Sequence, residues 1–242
     1  MLGYTSWIDL RTREIYDLVW VVFGALGLVL AVYEVYAGPL TLMGFLVPVV
    51  FSAVLSAVLG YIGLFGGADV AAFIVLAILN PFPPRHLEPY LGIVSMVYPL
   101  TLFSNSALAG AFSAVVLLVR NLSSAFGGKP LFESYRSDPA WKKLVVMVTG
   151  IRVGLDSVRG PPFQYPLELP PEDSTERRLV LLPDIRDDDA AREVFSRLRE
   201  EGVEEVWVSH TLPFLAFITI GYVLTLVFGD IALAVLSRYL FR

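Results

Sequence analysis

The sequence predicts an all-α polytopic membrane protein with a small α+β cytoplasmic insert, and three observations predict it. Of 242 residues, 56% are hydrophobic and only 17% charged, with a mean hydropathy of +0.67, whereas about a quarter of a soluble domain is charged. The apolar residues gather into blocks rather than amphipathic stripes, and several blocks pass the roughly 18 uncharged residues that mark a membrane span. The charge is segregated: 13 of 18 basic and 16 of 23 acidic residues lie between Arg120 and His210, so that segment reads as a soluble domain between spans. The expected domains are a membrane domain over 1–119, an insert over 120–210 and a last span within 211–242.

The first block, about Leu18 to Tyr36, and the second, Leu40 to Leu64, are separated only by Ala37-Gly38-Pro39 and form a helical hairpin. A glycine-rich break at Leu64-Phe65-Gly66-Gly67 leads through Asp69 into a short apolar run, Val70 to Leu79, closed by Asn80-Pro81-Phe82-Pro83-Pro84. Such a run covers only about half of a roughly 30 Å hydrocarbon core, so either Asp69 sits below the membrane surface or the bilayer thins around it. The fourth block, Leu91 to Val119, has 29 residues and no charge, which predicts tilt or projection beyond the lipid. The fifth runs from Leu212 to Leu236 and carries Asp230 near its end. Ser52, Ser56 and Gly60, and again Ser106 and Gly110, recur every four residues, the small-residue pattern of close helix packing. Asn105, in mid-span, is expected to bond a neighbouring backbone or line a polar pocket.

Within the insert, Arg178-Leu-Val-Leu-Leu-Pro183 and Val203 to Val208 read as strands around an amphipathic helix with an apolar face of Ala190, Ala191, Val194, Phe195 and Leu198. Asp187, Asp188 and Asp189 suit the positive start of that helix and Gly202 its stop, which together predict a β-α-β unit. Lys143 to Val153 is expected to add a strand, and the proline-rich stretch Gly160 to Pro171 an extended loop.

Composition excludes several chemistries. With no cysteine the chain builds no disulfide, thiolate nucleophile, iron-sulfur centre or Cys-ligated zinc, and its two histidines, His86 and His210, are too far apart in sequence to suggest a metal site. A net charge of -5 and an acidic insert argue against nucleic acid as a partner. Gly127-Gly128-Lys129-Pro130 lacks the spacing of a phosphate loop, and no Gly-x-Ser-x-Gly elbow is present.

Orientation follows from basic residues near span ends, because long loops count less. With Arg11 and Arg13 cytoplasmic, alternation puts the Gly66–Asp69 turn and the insert on that side too, flanked by Arg120, Lys129, Arg197 and Arg199. Only Arg85, Arg238 and Arg242 remain outside. The expected location is therefore the cell membrane, multi-pass, with a cytoplasmic insert.

That parity has a chemical consequence. Asp9 precedes the outgoing helix and Asp69 follows the returning one, so two crossings bring residues 60 positions apart to one membrane face. Paired carboxylates suffice for peptide hydrolysis without a cofactor. Like charges a few ångströms apart resist joint ionisation, and the shared proton leaves one group as base to activate water and the other as acid to polarise the carbonyl. Structural readings stand beside this one. Asp69, after a glycine pair and before an apolar helix, also fits an N-cap, and Asp9, beside Arg11 and Arg13, also fits a solvated juxtamembrane segment. Asp17 reads as the N-cap of the first long span, and Asp230 and Glu34 as interfacial acids. The competing function is a non-enzymatic transporter or assembly scaffold, which would depend on acids deeper in the membrane and tolerate loss of Asp9.

The segment Ser6-Trp-Ile-Asp9-Leu-Arg-Thr-Arg-Glu14-Ile15-Tyr-Asp17 ahead of a span, with Gly66-Gly67-Ala68-Asp69 opening a later helix, resembles the two signature motifs of the type IV prepilin peptidases, membrane aspartyl proteases of the GxGD class. The archaeal preflagellin and prepilin peptidases are the closer likeness, since Arg13-Glu14-Ile15-Tyr16-Asp17 stands where bacterial members show Ile-Pro-Asn and a cytoplasmic domain precedes the last span. The likeness covers the membrane part and is weakest in the insert. It implies Asp9 and Asp69 as catalytic aspartates, and Gly66 as the first glycine of the turn with Gly67 and Ala68 at variable positions. It also implies cleavage of a short basic leader from archaellin or type IV pilin-like precursors whose leader is followed by a hydrophobic helix in the lipid bilayer. Six spans are expected on that basis against five visible, because members carry a complete membrane helix before the first aspartate and eight residues precede Asp9 here. The acidity of the insert either attracts the basic leader or only keeps the domain soluble.

Overall fold

The computed structural model describes residues 1–38, 40–84, 88–128, 130–171, 176–185, 187–210 and 213–240. Arg85, His86, Lys129 and Arg242, used in the arguments above, lie outside the described residues. The chain divides into two compact units, Met1–Gly110 with Pro213–Arg242, and Ala111–Leu212.

The first unit is helical. It holds α1 (Leu2–Thr12), α2 (Asp17–Ala37), α3 (Leu42–Tyr61), α4 (Gly67–Leu79), the start of α5 (Tyr98–Phe126), α8 (Phe214–Phe228) and α9 (Ile231–Leu240). Helices α2, α3 and α5 are long and apolar enough to cross a membrane, and α8 with α9, meeting at a 53° bend, make a fourth candidate. The outward side chains of α2 and α3 are themselves apolar, Val21, Leu30, Val32, Val47 and Val54 among them, as a lipid solvent permits. The membrane character read from composition therefore holds.

Helix α4, with 13 residues, is too short to cross about 30 Å of hydrocarbon alone and is instead enclosed, with Ala72, Phe73, Val75, Leu76 and Ala77 buried. Small residues on its neighbours make the enclosure possible. A Cβ on Gly27 of α2 would come within 2.9 Å of Ile78 Cγ2, and one on Gly60 of α3 within 2.9 Å of Val70 Cγ2. Ser52 Oγ donates to the Phe73 carbonyl at 3.1 Å. The Ser52, Ser56, Gly60 spacing is thus the α3–α4 contact.

Two spans depart from their hydropathy limits. The fourth begins at Tyr98 rather than Leu91 and runs past Arg120 to Phe126. The stretch before it is not helical, because it pairs with the end of α8: the Tyr90 and Leu91 N–H groups donate to Val227 and Phe228 carbonyls at 2.8 and 3.2 Å, and the Asp230 N–H to the Ile93 carbonyl at 2.7 Å. The fifth block is two helices, because Gly229 at φ 82° breaks the ladder. Asn105 takes the freed groups, its Nδ2 donating to Thr225 Oγ1 at 2.9 Å and the Gly229 carbonyl at 2.7 Å. Asp230 then caps α9, Oδ1 accepting the Leu233 N–H at 2.9 Å.

The second unit contains α6 (Ala140–Thr149), β1 (Gly150–Gly154), β2 (Gln164–Pro166), β3 (Glu168–Leu169), β4 (Arg178–Leu179), α7 (Asp188–Glu200) and β5 (Glu205–His210). The expected strand over 143–153 is corrected: most of it is helix α6, and only its end forms β1. The run Leu144-Val-Val-Met147 is apolar without alternation, so its period does not separate helix from strand. The expected β-α-β unit is corrected too. β5 is the centre of an antiparallel sheet of order β1-β5-β2, while β4 pairs with β3 in a separate ribbon. Helix α7 matches expectation: Asp187 accepts the Ala190 N–H at 2.9 Å, and Gly202, at φ 71°, follows its end. Trp207 on β5 packs with Leu131, Tyr135, Val146, Leu167 and Leu179, while Val206 and Val208 pack with Ile151, Phe195 and Leu198, so strand alternation feeds both faces of the sheet. Asn121, on the projecting end of α5, donates to the Met147 and Gly150 carbonyls at 2.8 and 2.9 Å, which ties down the end of α6.

Candidate active site

Three helix ends meet in the first unit. Asp9 lies in the last turn of α1, its side chain 13% exposed, with Arg13 Nη1 at 3.6 Å from Oδ1. Pro213, the N-cap of α8, offers no side-chain acceptor and leaves the orphan amides common to helix starts. One of them, the Leu215 N–H, lies within electrostatic reach of the Asp9 carboxylate. Arg13 is the C-cap of α1 at φ 61°, a left-handed conformation that costs a non-glycine residue about 1–2 kcal/mol and persists where surrounding contacts hold it. Here it turns the chain towards α2 while the guanidinium reaches back one turn to Asp9.

Asp69 occupies the first turn of α4, and its Oδ2 accepts the Gly66 N–H at 2.9 Å. The N-cap reading of Asp69 is corrected: Gly66 is the N-cap, and Asp69, at the third helical position, reaches back to its amide. Gly66 has an ordinary φ of −76°, so its constraint is space: an added Cβ would lie 3.4 Å from Asp69 Oδ2. Around Gly67 nothing lies within 4 Å of such an atom, in keeping with a variable motif position. Asp69 stands within electrostatic reach of both Asp9 and Arg13, so the structure brings the two predicted aspartates and one guanidinium into a single charged cluster.

Aromatic rings hold the two helix starts together. Phe65, directly before the Gly66 turn, lies 4.8 Å from Phe214 at the start of α8 and stacks on Phe73 at 5.4 Å. The part played by Phe65 and Phe214 was not legible in the sequence, nor was the approach of Leu215, whose backbone amide carries no residue type. The other acids fall elsewhere: Asp17 is the first residue of α2, with Tyr16 and not Asp17 at its N-cap, Glu34 is exposed, and Asp230 is engaged in capping α9. Among the described residues, no three His, Asp or Glu side chains converge as a metal site requires.

Fold and site define a polytopic helical membrane protein in which two aspartates share one charged cluster. Residues 1–117 match the model of the type IV leader peptidase family, and residues 142–231 match that of the archaeal peptidase A24 C-terminus, type II. The N-terminal half thus carries the likeness to the type IV leader peptidases, and the second match takes in most of the insert, where the motif likeness was weakest. It is 25% identical over 92% of its length to the preflagellin peptidase of Methanococcus maripaludis strain C6, covering 89% of that protein. To the preflagellin peptidase of Methanococcus voltae it is 23% identical over 94% of its length, covering 91%. No solved structure matches the chain. The family resemblance read from the motifs is thereby borne out, and the protein is a membrane peptidase that removes leader peptides from precursors.

Proposed function

We propose that Asp9 and Asp69 are the catalytic pair of an aspartyl endopeptidase that trims short basic leaders from archaellin or type IV pilin-like precursors at the cytoplasmic face. The observation that carries this reading is the convergence of two carboxylates from opposite ends of a membrane hairpin, Asp69 holding the Gly66 amide at 2.9 Å and standing within reach of the Asp9 charge. Fixing Asp69 at the start of α4 leaves its remaining lone pairs for a bridging water. One aspartate takes the water's proton while the other donates to the scissile carbonyl, and the roles reverse as the leaving amine is protonated. Arg13, within reach of both, offsets the charge of the pair.

Supporting the cytoplasmic assignment are Arg11, Arg13 and Arg120 near span ends on one side. Supporting the substrate are the names of the two relatives, both preflagellin peptidases, and an acidic insert suited to a basic leader. The test is leader cleavage in membranes by Asp9→Asn and Asp69→Asn. Asparagine keeps the shape and an acceptor oxygen, yet cannot shuttle the proton. Each variant should insert normally and lose activity by at least about a hundredfold. Wild-type cleavage by either would remove that residue from the chemistry.

A further inference from the structure

The peptide groups on both sides of Leu215 approach α1. Its carbonyl accepts from Ser6 Oγ at 2.9 Å, and its N–H lies within electrostatic reach of the Asp9 carboxylate. Ser6 and Asp9 sit three residues apart, on one face of α1. Ser6 Oγ also lies 2.6 Å from Thr219 Oγ1, which stands 3.0 Å from the same Leu215 carbonyl. Two hydroxyl protons serve three close contacts, so one hydroxyl donates to the carbonyl while the other donates either to it or to its neighbour. Ser6 is only 8% exposed, and a buried hydroxyl of this kind is costly without a partner. Its partners lie on α8, not on its own helix, so the interaction fixes how α1 and α8 meet at the turn that carries the Leu215 amide.

We propose that Ser6 and Thr219 are positioning residues for Asp9: their hydroxyl pair locks the first turn of α8 against α1, so that the Leu215 N–H holds the Asp9 carboxylate in one rotamer turned towards Asp69. The inference rests on Asp9 being catalytic. Neither hydroxyl touches the reacting atoms. Their effect is geometric, and small displacements of a catalytic group are expensive in rate because the near-attack arrangement is lost before binding is.

Thr219→Val is the direct probe, since valine keeps the branched shape and removes the hydroxyl, and Thr219→Ser is its rescue. With purified full-length enzyme and a precursor carrying a basic leader and an apolar helix, Thr219→Val should lower kcat on the order of tenfold with KM changed by less than about twofold. Thr219→Ser should return kcat to within about twofold of wild type. Ser6→Ala should match Thr219→Val, and the double variant should be no worse than about either single one, because the hydroxyls act as one unit. Wild-type kcat in Thr219→Val, a failure of Thr219→Ser to rescue, or parallel loss of kcat, KM and thermal stability would each overturn the positioning role. Asp9→Asn run beside them separates the two claims. Activity in Asp9→Asn removes the catalytic assignment and the positioning role with it, whereas an inactive Asp9→Asn with a fully active Thr219→Val removes the positioning role alone.

Discussion

Lowering the pH from 7.5 to 5.5 should stabilise the insert through one buried carboxyl. Glu168 has no exposed side-chain surface and meets Arg177 Nη1 at 2.7 Å. The same guanidinium donates to the Glu205 carbonyl at 3.0 Å and to Ser134 Oγ at 3.2 Å. Burial pushes the Glu168 carboxyl up from 4.5 to about 7, although the Arg177 charge and the Trp207 amide pull the other way. A carboxyl raised in the folded state binds its proton more tightly there than in the unfolded chain. Its stabilising contribution is therefore complete below 4.5 and fades as pH rises through about 7. At about 1.4 kcal/mol per pH unit, the whole gap is worth about 3 kcal/mol, of which about 2 kcal/mol falls between pH 7.5 and 5.5.

Hydrogen exchange of the peptides containing Leu167 and Trp207, corrected for intrinsic rate, reads this directly. Wild type should gain protection on acidification relative to Glu168→Gln, whose side chain does not titrate, so the difference isolates one group from every other carboxylate. Equal pH slopes in the two proteins would refute the reasoning. A slope of opposite sign would mean that the Arg177 charge outweighs burial and that Glu168 behaves as an ordinary ion-paired acid.

Two further outcomes test the fold. Gly27→Val should lower thermal stability by about 1–3 kcal/mol through overpacking, because its Cβ meets Ile78 and Leu79 at 2.9 and 3.0 Å, whereas Gly24→Ala, facing Val75 at 3.7 Å, should be tolerated. In the cysteine-free chain, a cysteine at exposed Ser137 should be labelled from the cytoplasmic side only and one at exposed Tyr36 from the opposite side only. Labelling of both from one side would break the alternation that brings Asp9 and Asp69 to one face.

Lipid makes some of this architecture easy to read. A span must be apolar along its whole length, so α2 and α3 appear as blocks, and small residues every fourth position mark where α3 meets α4 at Ser52, Ser56 and Gly60. The bend at Gly229 was hidden because hydropathy sees composition and not the backbone angle, and the fifth block stays apolar across it except for Asp230. The later start of α5 was hidden for a related reason: residues 91–97 are as apolar as the helix that follows, yet their neighbours' amides are claimed by the end of α8. In the insert, Leu144 to Met147 satisfies helix and strand alike. The nearness of Asp9 and Asp69 was legible because two crossings return the chain to one membrane face, and the structure puts both in one charged cluster. The third wall of the site was not, since α8 contributes a peptide group, and peptide groups carry no residue type.

Asp69 in the first turn of α4 and Asp9 beside the start of α8 show why structural and catalytic readings of these residues were hard to separate. A carboxylate at a helix N-terminus satisfies an orphan amide and is stabilising in its own right, so its presence alone does not imply chemistry. What distinguishes this pair is that Asp9 faces a helix other than its own. Asp69 takes the amide of Gly66 in the turn that opens α4, as any local cap does, whereas the amide within electrostatic reach of Asp9 is that of Leu215, more than 200 residues away in sequence. A local cap stabilises one helix. A carboxylate set at the start of another helix ties α1 to α8, and Phe65 against Phe214 brings the start of α4 beside them. Substitution by alanine would remove a cap worth about 1 kcal/mol together with the acid, and an inactive alanine variant would not separate the two effects. Asparagine retains an acceptor oxygen and removes only the ionisable group, so loss of cleavage with unchanged thermal stability in Asp9→Asn and Asp69→Asn assigns the loss to proton transfer.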